Sequence, residues 1–390
     1  MTSAPSGIVP GSTSAFPRAE FDARIAAARR LMAARGLDLA LVTAPENVFY
    51  LTGQQTPACH AFQGFFLPAA GEPFLLVPRL EHASAVANTY LSDVTPYEDT
   101  VKPAVAVAAL LAERGWLGRK VAIDRQSRFL TIAAHDSLVA ALGPLADASG
   151  LVESLRVVKS TAEQIAIEEA ARYAEAGMRA GLAAVRAGAS ENAVAAAMLA
   201  ATIEAGSEHV GMEPLVASGP RSGIPRTTWR RRTMQPGDAV LLELAGCYDR
   251  YHAALVRTAW IGRAPERARR MAAACEEALA AALDAMKPGV TCEAVHAACR
   301  AVIDRHGYGD HAPARTGSSI GIAFAPDWGE GHILSLSTGV TRELEPGMVF
   351  HLSPVLRDHG RFAVGVGETV VVTESGSRPL GRLPRGLVEV

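Results

Sequence analysis

The residues with the most chemistry to offer lie in "LLELAGCYDRYHAALVRTAWIG", Leu241 to Gly262. Two β-prone runs flank a polar turn, which predicts a hairpin with polar chemistry on its inner face. Glu243 stands in an otherwise apolar run, "AVLLELAG". A carboxylate buried there needs a partner, or its pKa rises and it becomes neutral. Either outcome suits an acid/base catalyst, and the competing reading is a structural pair with Arg257 across the hairpin. Side chains two apart on a strand share a face, which groups His252 with Ala254 and, in "HLSP", His351 with Ser353. Two imidazoles and one or two carboxylates in an enclosed cavity would supply general acid and base near neutral pH. The bland alternative makes each histidine a hydrogen-bonded core residue. Glu368, in "VGVGETVVV", follows similar logic, with glycines beside it that let the backbone pass close to a ligand.

These strands need a scaffold, and composition bounds it. The chain has 390 residues, with 38 basic and 40 acidic side chains and a net charge of −2. That balance argues against a nucleic-acid partner. Five cysteines, an odd count without a CxxC pair, read as reduced thiols of a cytoplasmic protein, not as disulfides or a zinc site. Residues 1–18 are rich in Ser, Pro and Gly and read as a flexible arm, not a signal peptide. No apolar run is long enough to span a membrane.

From Phe21 to Arg35 an amphipathic helix is expected, closed by Gly36. "LDLALVTA" reads as a buried strand, "PENVFYLTG" as a loop and short turn, and "PFLLVPRL", "HASAVANTYL" and "KVAIDR" continue an alternation of strand and helix. Residues 19–156 are thus an α/β domain, with the boundary near Leu155 to Lys159. Long Ala/Glu/Arg helices alternate with hairpins over residues 157–390. No internal repeat is visible, which excludes solenoids and propellers.

The order of motifs in the second half resembles the pita-bread superfamily of methionine aminopeptidase, prolidase, aminopeptidase P and creatinase. The resemblance runs through "LRVVKSTAEQ", "EPLVASGPRSGIP", "QPGDAVLLELAGCYDRYHAALVRT", "RTGSSIG", "LEPGMVFHLSP" and "VGETVVVTESG". It implies an α/β N-terminal domain followed by an α+β pita-bread C-terminal domain, creatinase-like, in a homodimer. Metallopeptidases of the superfamily hold two divalent cations with two Asp, one His and two Glu. Carried over, those positions fall on Glu243, Ala254, Ser318, Ser353 and a site on or beside Glu368. Methyl and hydroxyl groups cannot replace anionic oxygens and imidazole around hard cations, so no metal and no other cofactor is expected.

"LELAGCYDRYH", "APDWGEGHILSL" and "GMVFHLSP" look most like the metal-independent branch of ectoine hydrolases and creatinase, which cleave C–N bonds in small polar molecules. That branch places a catalytic His after Pro225, where this chain has Arg226. A guanidinium cannot act as a base at ordinary pH, but it can clamp a substrate carboxylate. The expectation is a metal-independent enzyme acting on a small nitrogen-containing substrate, with His351, His252, Glu243 and Glu368 catalytic. Arg226, His209, Ser318, Ser353, Asp327 and Trp328 would line the pocket. The resemblance to creatinase-like dimers adds His60 and Phe62 from the partner's first domain. Ser318 and Ser319 lack a nucleophile elbow, and "TGSSIG" reads as a glycine-flanked turn. A biosynthetic enzyme on the same scaffold and a non-catalytic binding protein remain as alternatives.

Overall fold

The computed structural model describes residues 7–390 of the chain, which forms two compact units that meet between Arg156 and Val157. Residues 1–6 of the expected flexible arm lie outside the described residues. From Gly11 onward the arm is pinned. The Gly11 and Thr13 amides donate to the carbonyls of Val86 and Ala87, and the Thr13 hydroxyl donates to Asn88. Phe16 is buried beneath the Arg24 guanidinium, 4.9 Å from its ring centre. Backbone partners and one aromatic anchor therefore overrule the Ser/Pro/Gly composition.

In the first unit, β1 (Leu39–Val42), β2 (Gly64–Pro68), β3 (Phe74–Pro78), β4 (Val94–Tyr97), β5 (Val121–Ile123) and β6 (Ala146–Asp147) form one mixed sheet in the order β4-β3-β2-β1-β5-β6. Helices α1 (Arg18–Ala34), α2 (Pro45–Thr52), α3 (His82–Asn88), α4 (Pro103–Glu113), α5 (Ile132–Leu142) and α6 (Glu153–Arg156) connect these strands and precede them. "PENVFYLTG" is helix α2, not the expected loop. Pro45 stands in its first turn, where a missing amide costs nothing, and Gly53 closes it with a left-handed φ of 81°.

The second unit opens with α7 (Thr161–Ala184) and α8 (Glu191–Glu204). Ser160 and Glu163 form a capping box at the start of α7. Next come β7 (Leu215–Ser218), β8 (Ala239–Tyr248) and β9 (Tyr251–Trp260), then α9 (Glu266–Ala285) and α10 (Cys292–Arg305). The chain finishes with β10 (Arg315–Ser319), β11 (Ser335–Ser337), β12 (Val349–Leu352), β13 (Val355–Asp358), β14 (Phe362–Gly365), β15 (Glu368–Thr373), β16 (Gly376–Pro379) and β17 (Val388–Glu389). One sheet runs β17-β9-β8-β7 and the other β11-β10-β12-β15-β16, with β13 and β14 as a separate hairpin. α7 and α8 share an apolar core with the first sheet, and α9 and α10 with the second. α7 lies so close to β8 that a Cβ on Gly246 would sit 2.2 Å from the Ala170 carbonyl oxygen, so only glycine fits there.

β8 and β9 pair over ten residues around Asp249 and Arg250, both with positive φ, as a two-residue hairpin turn requires. The register sets Glu243 opposite Val256 and Ala245 opposite Ala254. The two sheets touch where Val256 and Gly367 exchange backbone hydrogen bonds, and the Thr369 hydroxyl accepts from the Ala254 amide. "RTGSSIG" is not a turn. Its residues 315–319 are β10, hydrogen-bonded to β11 on one side and β12 on the other. Among the described residues no helix is long and apolar enough to cross a membrane.

A buried ion pair ties this sheet to the start of the unit. Lys159 donates to Glu330 at 2.7 Å and to the Ser319 hydroxyl at 3.0 Å, with both charged side chains 1% exposed. Removing one member would strand the other charge, so Glu330→Ala should cost about 3–5 kcal/mol in urea denaturation. Replacing both, as Lys159→Met with Glu330→Leu, should cost clearly less.

Candidate functional site

The site forms where β8, β9, β12 and β15 of the second unit meet. Glu243 stands on β8 and keeps 22% of its side-chain surface exposed, enough to meet a ligand. Burial pushes its carboxyl up to about 7. The Arg357 guanidinium pulls against that shift, and the Asp327 carboxylate adds to it. His351 Nε2 lies 3.9 Å from Glu243 Oε1, and the backbones of Glu368 and Ala254 approach the ring. Burial drives the His351 imidazole down to about 4, with Arg315 and Arg257 adding to the fall. At pH 7 the pair is therefore a neutral imidazole beside a carboxyl poised at its midpoint.

Arg257 is not the partner of Glu243. It stands opposite Leu242, one residue out of register, and therefore on the other face of the hairpin. There it pairs with Glu368 at 2.5 Å and donates to the carbonyls of Gly367, Leu383 and Pro384. Glu368 thus faces away from the site, which removes it from the catalytic set. His351 pairs with Thr369, so the site-facing position on this segment is Gly367. A Cβ added there would sit 3.0 Å from His351 Cε1. Val256, at 2.8 Å, and the imidazole together occupy the room a side chain at that position would need.

His252 is likewise not in the catalytic set. It is fully buried, its Nε2 accepts from the Gly211 amide at 3.0 Å, and its Nδ1 lies 2.9 Å from the Arg250 carbonyl. Burial, with Arg250 nearby, pushes it down to about 3. It is a satisfied core histidine that anchors the loop at Gly211, which packs directly against the Asp327 carbonyl. His209 lies in that loop. It is exposed, bonded to Arg250 at 2.8 Å, and held below its usual pKa by partial burial and that guanidinium.

Ser318 pairs with His351 across β10 and β12, and both Ser318 and Ser353 are partly exposed beside it. Asp327 bears on Glu243 electrostatically, while its Oδ1 accepts from the amides of Trp328 and Gly329. Trp328 is buried. Arg226 is exposed, with a left-handed φ of 57°. The guanidinium that acts on Glu243 is that of Arg357. His60, exposed, and Phe62, packed against the first unit's core, both lie in that first unit. Cys247 is buried and its thiol is pushed up to about 12 by burial, which makes it a poor nucleophile.

Sequence reasoning missed Arg357 and Gly367. Arg357 in "PVLRD" carries the same signal that exposed Glu243, a charge in an apolar strand. Gly367 required the register of β15. With that register, the positions that the resemblance assigns to the cation ligands carry Glu243, Ala254, Ser318, Ser353 and Gly367. Among the described residues no group of three or more His, Cys, Asp or Glu could hold a metal ion. One carboxylate and two hydroxyls do not fit a dinuclear centre.

The sequence profile of metallopeptidase family M24 matches residues 165–374, and that of the creatinase/prolidase N-terminal domain matches residues 24–158. The ectoine hydrolase of Halomonas elongata is 30% identical, over 95% of this chain and 98% of its own length. The Xaa-Pro dipeptidase of Lactobacillus delbrueckii subsp. lactis is 27% identical, over 88% and 92%. The crystal structure of dipeptidase PepE from Mycobacterium ulcerans superposes with a TM-score of 0.81 at 29% identity, covering 96% of this chain and 99% of that one. The chain belongs to metallopeptidase family M24, as a hydrolase of that family with a creatinase/prolidase N-terminal domain and a pita-bread C-terminal domain.

Proposed function

We propose that the second unit hydrolyses a C–N bond of a small, polar, nitrogen-containing molecule, an amide, amidine or cyclic amide, without a dinuclear metal centre. The observation that carries this reading is the Glu243 carboxyl at about 7, set 3.9 Å from the His351 imidazole. As a carboxylate, Glu243 would take a proton from water attacking the carbonyl or amidine carbon. As the resulting acid, it would return that proton to the departing nitrogen. Neutral His351 can accept from the attacking water and donate to the substrate, whichever tautomer it holds. The similarity to an ectoine hydrolase supports a non-peptide substrate. The dipeptidase relatives favour a peptide instead, but the donor set at the five ligand positions speaks against their chemistry here. Activity that survives exhaustive dialysis against a chelator supports the reading. Activity restored only by added divalent cations would return the protein to the dipeptidases.

The pH profile carries a sign. Glu243 works as a base only when ionised, so kcat/KM should rise tenfold per pH unit below about 7 and level off above it. His351, driven down to about 4, stays neutral across that range and adds no limb there. Glu243→Gln should remove the limb and lower turnover about 10²–10⁴-fold. His351→Ala should lower turnover on the same scale, measured with the natural amide or its closest active analogue. His252→Ala should behave differently. It strands the buried Gly211 amide, costing about 1–3 kcal/mol in denaturant melts, while the pH midpoint of kcat/KM stays in place.

A further inference from the structure

The carboxyl edge of the first unit's parallel strands holds a buried cluster that the chemistry of the second unit does not use. Asp124 directly follows β5 and is buried, and Glu153 opens α6, the last helix before this unit ends at Arg156. Glu153 Oε1 accepts from the side-chain amide of Asn47 on α2, and the Asn47 side-chain carbonyl accepts from Arg156 at 2.7 Å. Glu153 Oε2 is buried with no N–H or hydroxyl group to bond it. The group that meets the Glu153 carboxyl is the carboxyl of Asp124. Asp124 is fixed from its other side. Its Oδ1 accepts from the Gln126 amide at 2.9 Å, and the Ser149 hydroxyl, which accepts from the Arg125 amide at 3.1 Å, donates to the same carboxyl.

Ionised carboxylates are acceptors only, so a hydrogen bond between two carboxyl groups requires a proton held between their oxygens. Burial, and after it the Glu153 charge, push the Asp124 carboxyl up to about 6, against the pull of Gln126 and Ser149. The charged groups packed around the pair are engaged elsewhere. Arg128 lies 3.8 Å from Glu46, Arg156 serves Asn47, Arg35 donates to the Ser149 carbonyl at 2.9 Å, and Arg125 acts on Asp147. Asp147 is exposed and accepts from the Ser149 amide at 2.8 Å. Among the described residues no group of three or more His, Cys, Asp or Glu could hold a metal ion in place of the proton.

We propose that Asp124 and Glu153 form a proton-held clasp that fixes α6 within the first unit and loosens as pH rises. With the proton in place, one hydrogen bond joins the end of β5 to α6, and Asn47 extends the tie to α2. Without it, two buried like charges face each other. The folded Asp124 pKa lies above the ordinary aspartate value. The clasp is therefore fully stabilising below about 4, and its contribution is lost as pH rises through about 6.

The test is hydrogen exchange on the full chain, read by mass spectrometry over residues 150–156 at about pH 5 and pH 7.5 and corrected for intrinsic rates. The reporters are the amides of Ser154 and Leu155, bonded to the carbonyls of Gly150 and Val152. Their opening should be about tenfold more frequent at the higher pH. Asp124→Asn replaces the shared proton with an amide that donates permanently. It should abolish the difference and protect α6 at pH 7.5 as well as the unsubstituted chain does at pH 5. Glu153→Gln makes the same replacement from the other side, and decides the matter if the first variant melts early. Exchange in the unsubstituted chain that does not depend on pH, or a dependence that survives both substitutions, would overturn the proposal. So would faster α6 exchange in both variants at pH 5. Protection restored at pH 7.5 by millimolar calcium alone would assign the pair to a cation and overturn it as well.

Discussion

The Glu243 carboxyl sits on the central hairpin with most of its surface withdrawn from water and no fixed cation bonded to it. Desolvation favours its neutral form, and the Asp327 carboxylate pushes the same way, while Arg357 restrains the shift without neutralising it. Each neighbour contributes to that balance. An aspartate at Ala254 or a glutamate at Gly367 would place a second anion beside Glu243 and demand a cation to hold them together. With methyl and hydrogen at those positions, the demand disappears, and Val256 and the imidazole of His351 fill the space. In the proposed chemistry, the site would work through a proton held by Glu243.

The surrounding structure keeps that balance in place. The Val256–Gly367 bridge and the Thr369–Ala254 hydrogen bonds clamp the two sheets to each other at the site. Arg257 neutralises Glu368 on the opposite face and ties down the segment that ends the domain, so the one remaining glutamate of β15 exerts no pull toward the site. Below, the Lys159–Glu330–Ser319 cluster supports β10, the strand that carries Ser318. The buried Lys159–Glu330 and Arg257–Glu368 pairs serve as struts, whereas Glu243 and His351 stand 3.9 Å apart without a hydrogen bond between them.

Much of this is legible in the chain itself. The hairpin and the helices flanking it follow from residue type and order, whereas the replacement of ligands by Ala254, Ser318 and Ser353 is what the resemblance implies. Face and partner are not legible at single-residue precision. Shifting a strand by one residue exchanges its faces, which is why Glu368 and Gly367 trade roles and why Arg257 pairs with Glu368 instead of Glu243. His252 shares a face with Ala254 as alternation predicts, yet a loop amide from Gly211 saturates it, and no local pattern announces such a contact. The pinned arm beyond Gly11 teaches the same lesson, since its composition says nothing about the Val86 and Ala87 carbonyls that receive it.

The most direct test of this account is the titration of Glu243 itself, read without any substrate. Infrared difference spectra between the unsubstituted protein and Glu243→Gln, taken across pH, isolate one carboxyl group. The account predicts a protonated-carboxyl band that disappears with a midpoint near 7 as pH rises. A carboxyl that is already fully ionised at pH 5, with no band titrating above it, would contradict the claim that desolvation makes Glu243 the acid/base group of this site.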